Sequence, residues 1–349
     1  MRLSVNLDLT GPLDAIAAYV RDVESAGADM VWVAEAYGRD AGSLLGYCAA
    51  ISSRLRFGTA ILNVFSRTPA LLAQLAATVD ELTGGRFELG LGSSGPQVIE
   101  GWHGVPFTTP VRRTAEVVEI CRAIWRREGP VTFVGSTVSL PYAGRDGRGQ
   151  GKALKLLTHP VRSAIPVWIG SLGPRNVELT AEIADGWLPM LFIPELAHEV
   201  WGESLRAGTA RRSPTLGSLQ ISASAHVQVT SEAPEAIADA RDLARPSLAR
   251  YIGGMGSKTA NFYNDLARRY GFADDADTAQ ALFLAGRPTD AAAALSDELV
   301  ERMTICGPPT YVRDRLQAYA AAGVTDLRIN VNAGSDSPKA VEQLRALMP

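Results

Sequence analysis

Cysteine, histidine and lysine are all scarce in this 349-residue chain: three cysteines, four histidines, and four lysines among 34 basic residues. Cys48, Cys121 and Cys306 are far apart and odd in number, which argues against a disulfide framework or a zinc site. His103, His159, His198 and His226 show neither i,i+4 nor H-E-x-x-H spacing, so no metal site is expected. A net charge of −3 with interspersed signs leaves no basic face for nucleic acid. No apolar run approaches the roughly 20 residues of a membrane span, and the opening MRLSVNLDLT lacks a charged-then-apolar leader. A cytoplasmic protein with reduced thiols and a small-molecule partner is expected.

What the chain does have is alternation. Apolar, β-branched runs at 2–7, 30–34, 55–62, 87–92, 165–170, 187–191, 219–229 and 326–332 read as eight strands buried on both faces. Helical patterns lie between them, with Thr68-Pro69 and Thr109-Pro110 as start signals and Gly27, Gly84-Gly85 and Gly129 as stops. Eight strand–helix units predict a (β/α)8 TIM barrel over residues 1–349, with excursions at about 131–164 and 251–302.

Gly90, Gly92 and Gly95 spell G-x-G-x-x-G, the fingerprint of a dinucleotide-binding turn. The context opposes that reading. Three strand–helix units come first, Pro96 follows the glycines, and Glu116, at about the right distance for a ribose-binding acid, falls inside a helix. GSSG is not G-x-S-x-G, so a hydrolase elbow is not supported either. In a barrel the chemistry sits at the strand C-termini. Those ends present Asn6 and Asp8, Ala34-Glu35, Asn63, Gly92-Ser93-Ser94, Gly170-Ser171-Leu172-Gly173, Asn330 and Asn332, with His226 near the middle of the seventh strand. The two glycine-rich turns could offer backbone amides to a phosphate, or simply turn tightly.

At these turns the chain resembles a known family. RLRFGTAILNVFSRTPALLAQLAATVDELTGGRFELGLGSSGPQVIEGWHG (54–104), VWVAEAYGRDA (31–41), IPVWIGSLGPRNVELTAEIADGW (165–187), YIGGMGSKTANFYNDLARRYGF (251–272) and CGPPTYVRDRLQAYAAAGVTDLRI (306–329) are similar to luciferase-like flavin/deazaflavin oxidoreductases, in particular the coenzyme F420-dependent branch. The resemblance implies a luciferase-like barrel, a homodimer, and a non-prolyl cis peptide matching Ala60–Ile61, behind the cofactor ring. It implies cofactor contacts from Asn63, Gly92, Ser93, Gly95 and Gln97, and backbone amides of Gly170, Ser171, Leu172 and Gly173 on the cofactor phosphate. Glu35 and His103 are the candidates for moving a proton, and Tyr251 and Met255 for touching substrate or the cofactor tail.

One departure narrows the chemistry. Family members that oxidise alcohols or sugar phosphates carry an acid followed by histidine after strand two, and here the pair is Glu35-Ala36. The shortage of lysine points the same way. The expectation is an F420-dependent reductase of a C=C, C=N or C=O group. The alternatives are an FMN-dependent monooxygenase and a cofactor-binding protein without catalysis.

Overall fold

The computed structural model describes residues 1–7, 11–330 and 337–348; Asp8 and Asn332 lie outside the described residues. The strands, in chain order, are β1 (Arg2–Asn6), β2 (Met30–Val33), β3 (Arg56–Thr59), β4 (Leu62–Asn63), β5 (Phe87–Gly92), β6 (Phe133–Val134), β7 (Ser139–Leu140), β8 (Val167–Gly170), β9 (Gly186–Trp187), β10 (Gln220–Val229), β11 (Thr304–Gly307) and β12 (Asp326–Asn330). All but the β6–β7 hairpin are parallel, and β12 pairs with β1 to close a barrel. Its eight staves are β1, β2, β3 continued by β4, β5, β8, β9, β10 and β12.

Two expected strands differ. The run 55–62 breaks after Thr59, with a cis peptide at Ala60–Ile61, and resumes as β4. The run 187–191 is laddered only at Gly186–Trp187, although Leu188 N still donates to Ile169 O at 2.9 Å. Three strands are new relative to the sequence reading: the short β6–β7 hairpin inside the first excursion, and β11 in the barrel wall. Gln220 N donates to Asp185 O and Thr230 N to Gly307 O. Residues an even number apart present their amides to the same strand edge, so β11 occupies the length of β10 that the short β9 leaves uncovered.

The staves separate two apolar regions. Outward side chains such as Val5, Val31, Phe57, Leu89, Ile169, Ala225 and Ile329 join the large core beneath the helices. Inward, Met30, Trp32, Trp168 and Leu188 form a separate cluster with Ala60 and Ile61 packed on it. The N-terminal end of the interior is charged: Glu88 pairs with Arg2 (3.0 Å) and Arg56 (2.7 Å). Asp326 accepts from Ser4 (2.8 Å) and Ser222 (2.5 Å) and faces Arg2 at 3.8 Å.

The helix starts are as expected, with one different mechanism. Thr68 caps the helix Pro69–Leu82 by accepting from Leu71 N, whereas Thr109, before Pro110–Arg126, is left-handed with φ 44° and makes no side-chain cap. Glu116, the would-be ribose ligand of the fingerprint, is buried in that helix and anchors the first excursion. Its carboxylate accepts from the backbone amides of Ser136, Thr137 and Val138 and from the Ser136 and Thr137 hydroxyls. The second excursion is helical, at Phe262–Arg269, Ala273–Leu284, Pro288–Ala293 and Asp297–Arg302.

Candidate active site

The C-terminal mouth has two unlike halves. On one, Gly90 is locked to Thr59: Thr59 Oγ1 donates to Gly90 O at 2.7 Å and accepts from Gly90 N at 2.8 Å. A Cβ at Gly90 would stand 1.7 Å from Thr59 O, so the stave can lie this close only as glycine. Above it, Ile61 spreads between Gly92 and Gly170. Added Cβ atoms there would come within 3.0 Å of Ile61 Cγ1 and 3.1 Å of Ile61 Cγ2. Ala60, Ile61, Gly92 and Gly170 thus leave an apolar shelf without projecting side chains from its flanking strands, resting on the tryptophans below.

Polar groups rim this shelf. Asn63, nearly fully buried, accepts from Phe65 N (3.0 Å) and Ser66 N (2.7 Å), and its amide nitrogen lies 3.2 Å from His103 Nε2. The structure therefore brings two expected site residues together. Ser93 and Gly95 lie in the turn after β5, where Ser94 is left-handed (φ 58°), and Gly95 precedes the short helix Pro96–Gly101 that carries exposed Gln97. Gly173 precedes the helix Pro174–Ile183. The Ser171 hydroxyl is turned away, 2.8 Å from Thr180 Oγ1, and the carbonyls of Ser171 and Leu172 are held by Trp187 and Trp201. What this loop can offer a ligand is its backbone.

Glu35 has another occupation. Its carboxylate forms a two-pronged pair with Arg67, one arm at 2.7 Å, and accepts from Ala41 N at 2.9 Å. Arg67 also binds Asp40, which caps Ser43 N at 2.7 Å. This cluster ties the loop after β2 to the start of the helix Pro69–Leu82. Arg67 was not singled out from sequence, where it is one arginine among thirty.

The second half of the mouth is polar. Asn6 donates to Asn330, and His226 is register partner to Asn330. A small cavity of about 20 Å³ beside them, room for a single oxygen-sized group, is lined by Met190, Ser224, His226, Tyr251, Met303 and Asn330, among others. Tyr251 sits on a π-helical turn, Arg250–Gly254, with its ring 4.9 Å from that of Tyr263. Burial pushes the Tyr251 phenol up, so it stays protonated at neutral pH. Met255, which ends that turn, is exposed and does not line this cavity. Met190, Ser224 and Arg328 were missed. The signal was the inward parity of 222, 224 and 226, and of 326, 328 and 330, which only the closed barrel assigns.

With this geometry in view, the comparisons are decisive for the family. The family model described as luciferase-like monooxygenase matches residues 1–326. The chain belongs to this family. A protein of Mycobacterium tuberculosis assigned as a coenzyme F420-dependent oxidoreductase is 42% identical over 352 residues, covering 99% of this chain and 98% of that protein. The 5,10-methylenetetrahydromethanopterin reductase of Archaeoglobus fulgidus is 29% identical over 330 residues, 93% of this chain and 91% of that protein. Among solved structures, the coenzyme F420-dependent tetrahydromethanopterin reductase from Methanopyrus kandleri superposes with a TM-score of 0.81 at 21% identity, covering 98% and 96% of the two chains. That likeness speaks for the luciferase-like barrel alone.

Proposed function

We propose that this chain is a coenzyme F420-dependent oxidoreductase that reduces a C=C, C=N or C=O group of a small organic metabolite. The observation that carries the reading is the shelf of Ile61 between Gly92 and Gly170. A planar tricyclic ring needs a flat apolar floor, and a Cβ at either glycine would crowd Ile61 and rise into that space. Near-full-length identity to an F420-dependent relative supports the choice of cofactor. When bound, the deazaflavin supplies a hydride from its C5. The chain's own contribution is orientation and proton supply. Ile61 and the glycines support the ring, and Asn63 with His103 borders its edge. The backbone of 170–173, at the head of a helix, receives the phosphate. Glu35, spent on Arg67 and Ala41, positions the loop after β2.

The test is a titration of the purified protein with F420 and, separately, with FMN, followed by tryptophan fluorescence. Trp32 and Trp168 lie directly beneath Ala60 and Ile61, so ring binding should quench them. F420 should bind at least about tenfold tighter than FMN, a difference of about 1.4 kcal/mol. The reverse order would overturn this reading in favour of an FMN monooxygenase, and binding of neither would favour a protein without this cofactor chemistry.

The assembly proposed is a homodimer in the cytoplasm. The helices Ala41–Ala49 and Pro69–Leu82 leave Tyr47, Leu71 and Leu82 exposed. Light scattering should return about twice the 37.1 kDa chain mass. No helix among the described residues is long and apolar enough to cross a membrane.

A further inference from the structure

Arg328 is the most unusual charge in the barrel. It lies on β12 with 3% of its surface exposed, and its Nε is buried with no hydrogen-bond partner among the described residues. Asp326, two residues before it on the same strand, favours its charge but is shared with Arg2, 3.8 Å away, and with the Ser4 and Ser222 hydroxyls. Glu88 is taken up by Arg2 and Arg56. Those two arginines are partly exposed, whereas Arg328 is enclosed and shares one carboxylate with Arg2. Burial lowers the Arg328 pKa to about 10, which leaves it charged at neutral pH.

This charge sits under the polar cavity. Arg328 Nη2 reaches Met190 Sδ at 3.7 Å, and Ser224, its register partner on β10, donates to the same sulfur at 3.5 Å. Met190 and Ser224 line the cavity, as does Asn330, two residues further along β12. A cation roofed by a thioether and two neutral polar groups projects its field into the space above. Tyr251, whose hydroxyl makes no hydrogen bond among the described residues, lines that space too and interacts electrostatically with Arg328.

We propose that this cavity takes the oxygen of a ketone or enone, that Arg328 stabilises the negative charge which develops there, and that Tyr251 is the proton donor. The inference rests on the F420-reductase reading and narrows it, because an electropositive floor opposes a cationic iminium substrate. The step balances. Reduced F420 gives up a hydride, which forms the new C–H bond. The π electron pair moves, directly or through the conjugated C=C, onto oxygen. That oxygen takes the Tyr251 Oη proton, and water restores the phenol. The substrate gains two electrons and the cofactor leaves oxidised. Arg328 acts through its field as a positioning residue, and Tyr251 as a catalytic one.

The experiment compares, by calorimetry on the F420-loaded protein, ionised 4-nitrophenol, which mimics the charged oxygen, with the neutral isostere 4-nitroanisole. The wild type should favour the phenolate by at least about tenfold. Arg328→Met should erase that preference, and Arg328→Lys should keep most of it. Tyr251→Phe should keep the preference but lower kcat on an enone by about 100-fold, the usual scale of general-acid catalysis, with KM within about threefold. Equal affinity for the two probes in the wild type, a preference surviving in Arg328→Met, or an unchanged kcat in Tyr251→Phe would each overturn the proposal. Should Arg328→Met not fold, the wild-type comparison alone decides. Failure of F420 to bind in the fluorescence titration would instead sink the cofactor reading, and the probe preference can then be read on the bare chain.

Discussion

Whether Glu35 moves a proton or holds a loop can be settled by perturbing it together with its partner. The Glu35 and Arg67 side chains are 10% and 12% exposed, so the pair lies between the buried and surface regimes. Breaking a fully buried pair costs about 3–5 kcal/mol. Here Glu35→Gln keeps an acceptor for Ala41 N, and Arg67 keeps Asp40. What is lost is one charge-assisted arm, so the expected cost is about 2 kcal/mol on the scale of such bonds. Arg67→Met strands the Glu35 carboxylate and should cost about 3 kcal/mol, with a coupling energy in the double variant of about 2 kcal/mol. Urea unfolding measures these, and turnover with reduced F420 completes the test. A positioning role predicts that both single variants lose activity in parallel, by less than about tenfold. A general acid or base is worth about 10²–10⁴. A collapse of kcat by more than 100-fold in Glu35→Gln, with Arg67→Met still active, would refute the positioning argument.

Other consequences are simpler. Gly170→Val puts a branched side chain beside Ile61, where even a Cβ stands 3.1 Å from Cγ2; F420 affinity should fall at least about tenfold while overpacking costs about 1–3 kcal/mol, and retained affinity would remove the shelf from the site. Burial raises the Glu116 carboxyl, but hydrogen bonds from Thr137, Arg112 and Ser136 outweigh it and hold the group well below the usual range. A depressed folded pKa stabilises above the unfolded value of about 4.3 and is lost as pH falls toward the folded one. Limited proteolysis of 131–164 should therefore accelerate below about pH 4, and Glu116→Gln should be cleaved readily at pH 7. Burial pushes the thiols of Cys48 and Cys306 up to about 11 and that of Cys121 up to about 12. A chromogenic thiol reagent should leave the folded chain unlabelled and find three thiols in urea; rapid labelling without denaturant would contradict this burial.

The barrel was legible in the sequence because its signals are local. Strand runs, proline-led helix starts and glycine stops repeat along the chain, and each is fixed within a dozen residues. The strand Thr304–Gly307 escaped because TICG is four residues long and abuts a Gly-Pro-Pro helix start, so it reads as a lead-in to that helix. Its partner, the far half of β10, is set by a tertiary fact: β9 stops at Trp187. On the apolar side of the mouth, Gly92, Gly170 and the Ala60–Ile61 bond carry recognisable motifs, and the structure has the expected cis bond there with Ile61 packed between the two glycines. The polar side carries none. Asp326, Arg328 and Asn330 alternate with Leu327 and Ile329, a period of two that is plain once seen. Yet alternation in a single strand cannot tell an interior from solvent; in an open antiparallel sheet the same pattern would put the charges in water. Closing the ring converts that polar face into a buried one, and only then does an arginine in a strand become a charge that its surroundings must answer. The glycine half could be read from sequence because its glycines and the Ala60–Ile61 bond sit in motifs that resemble the family's. The other half is set by what this chain places above Arg328, and local sequence holds no pattern for that.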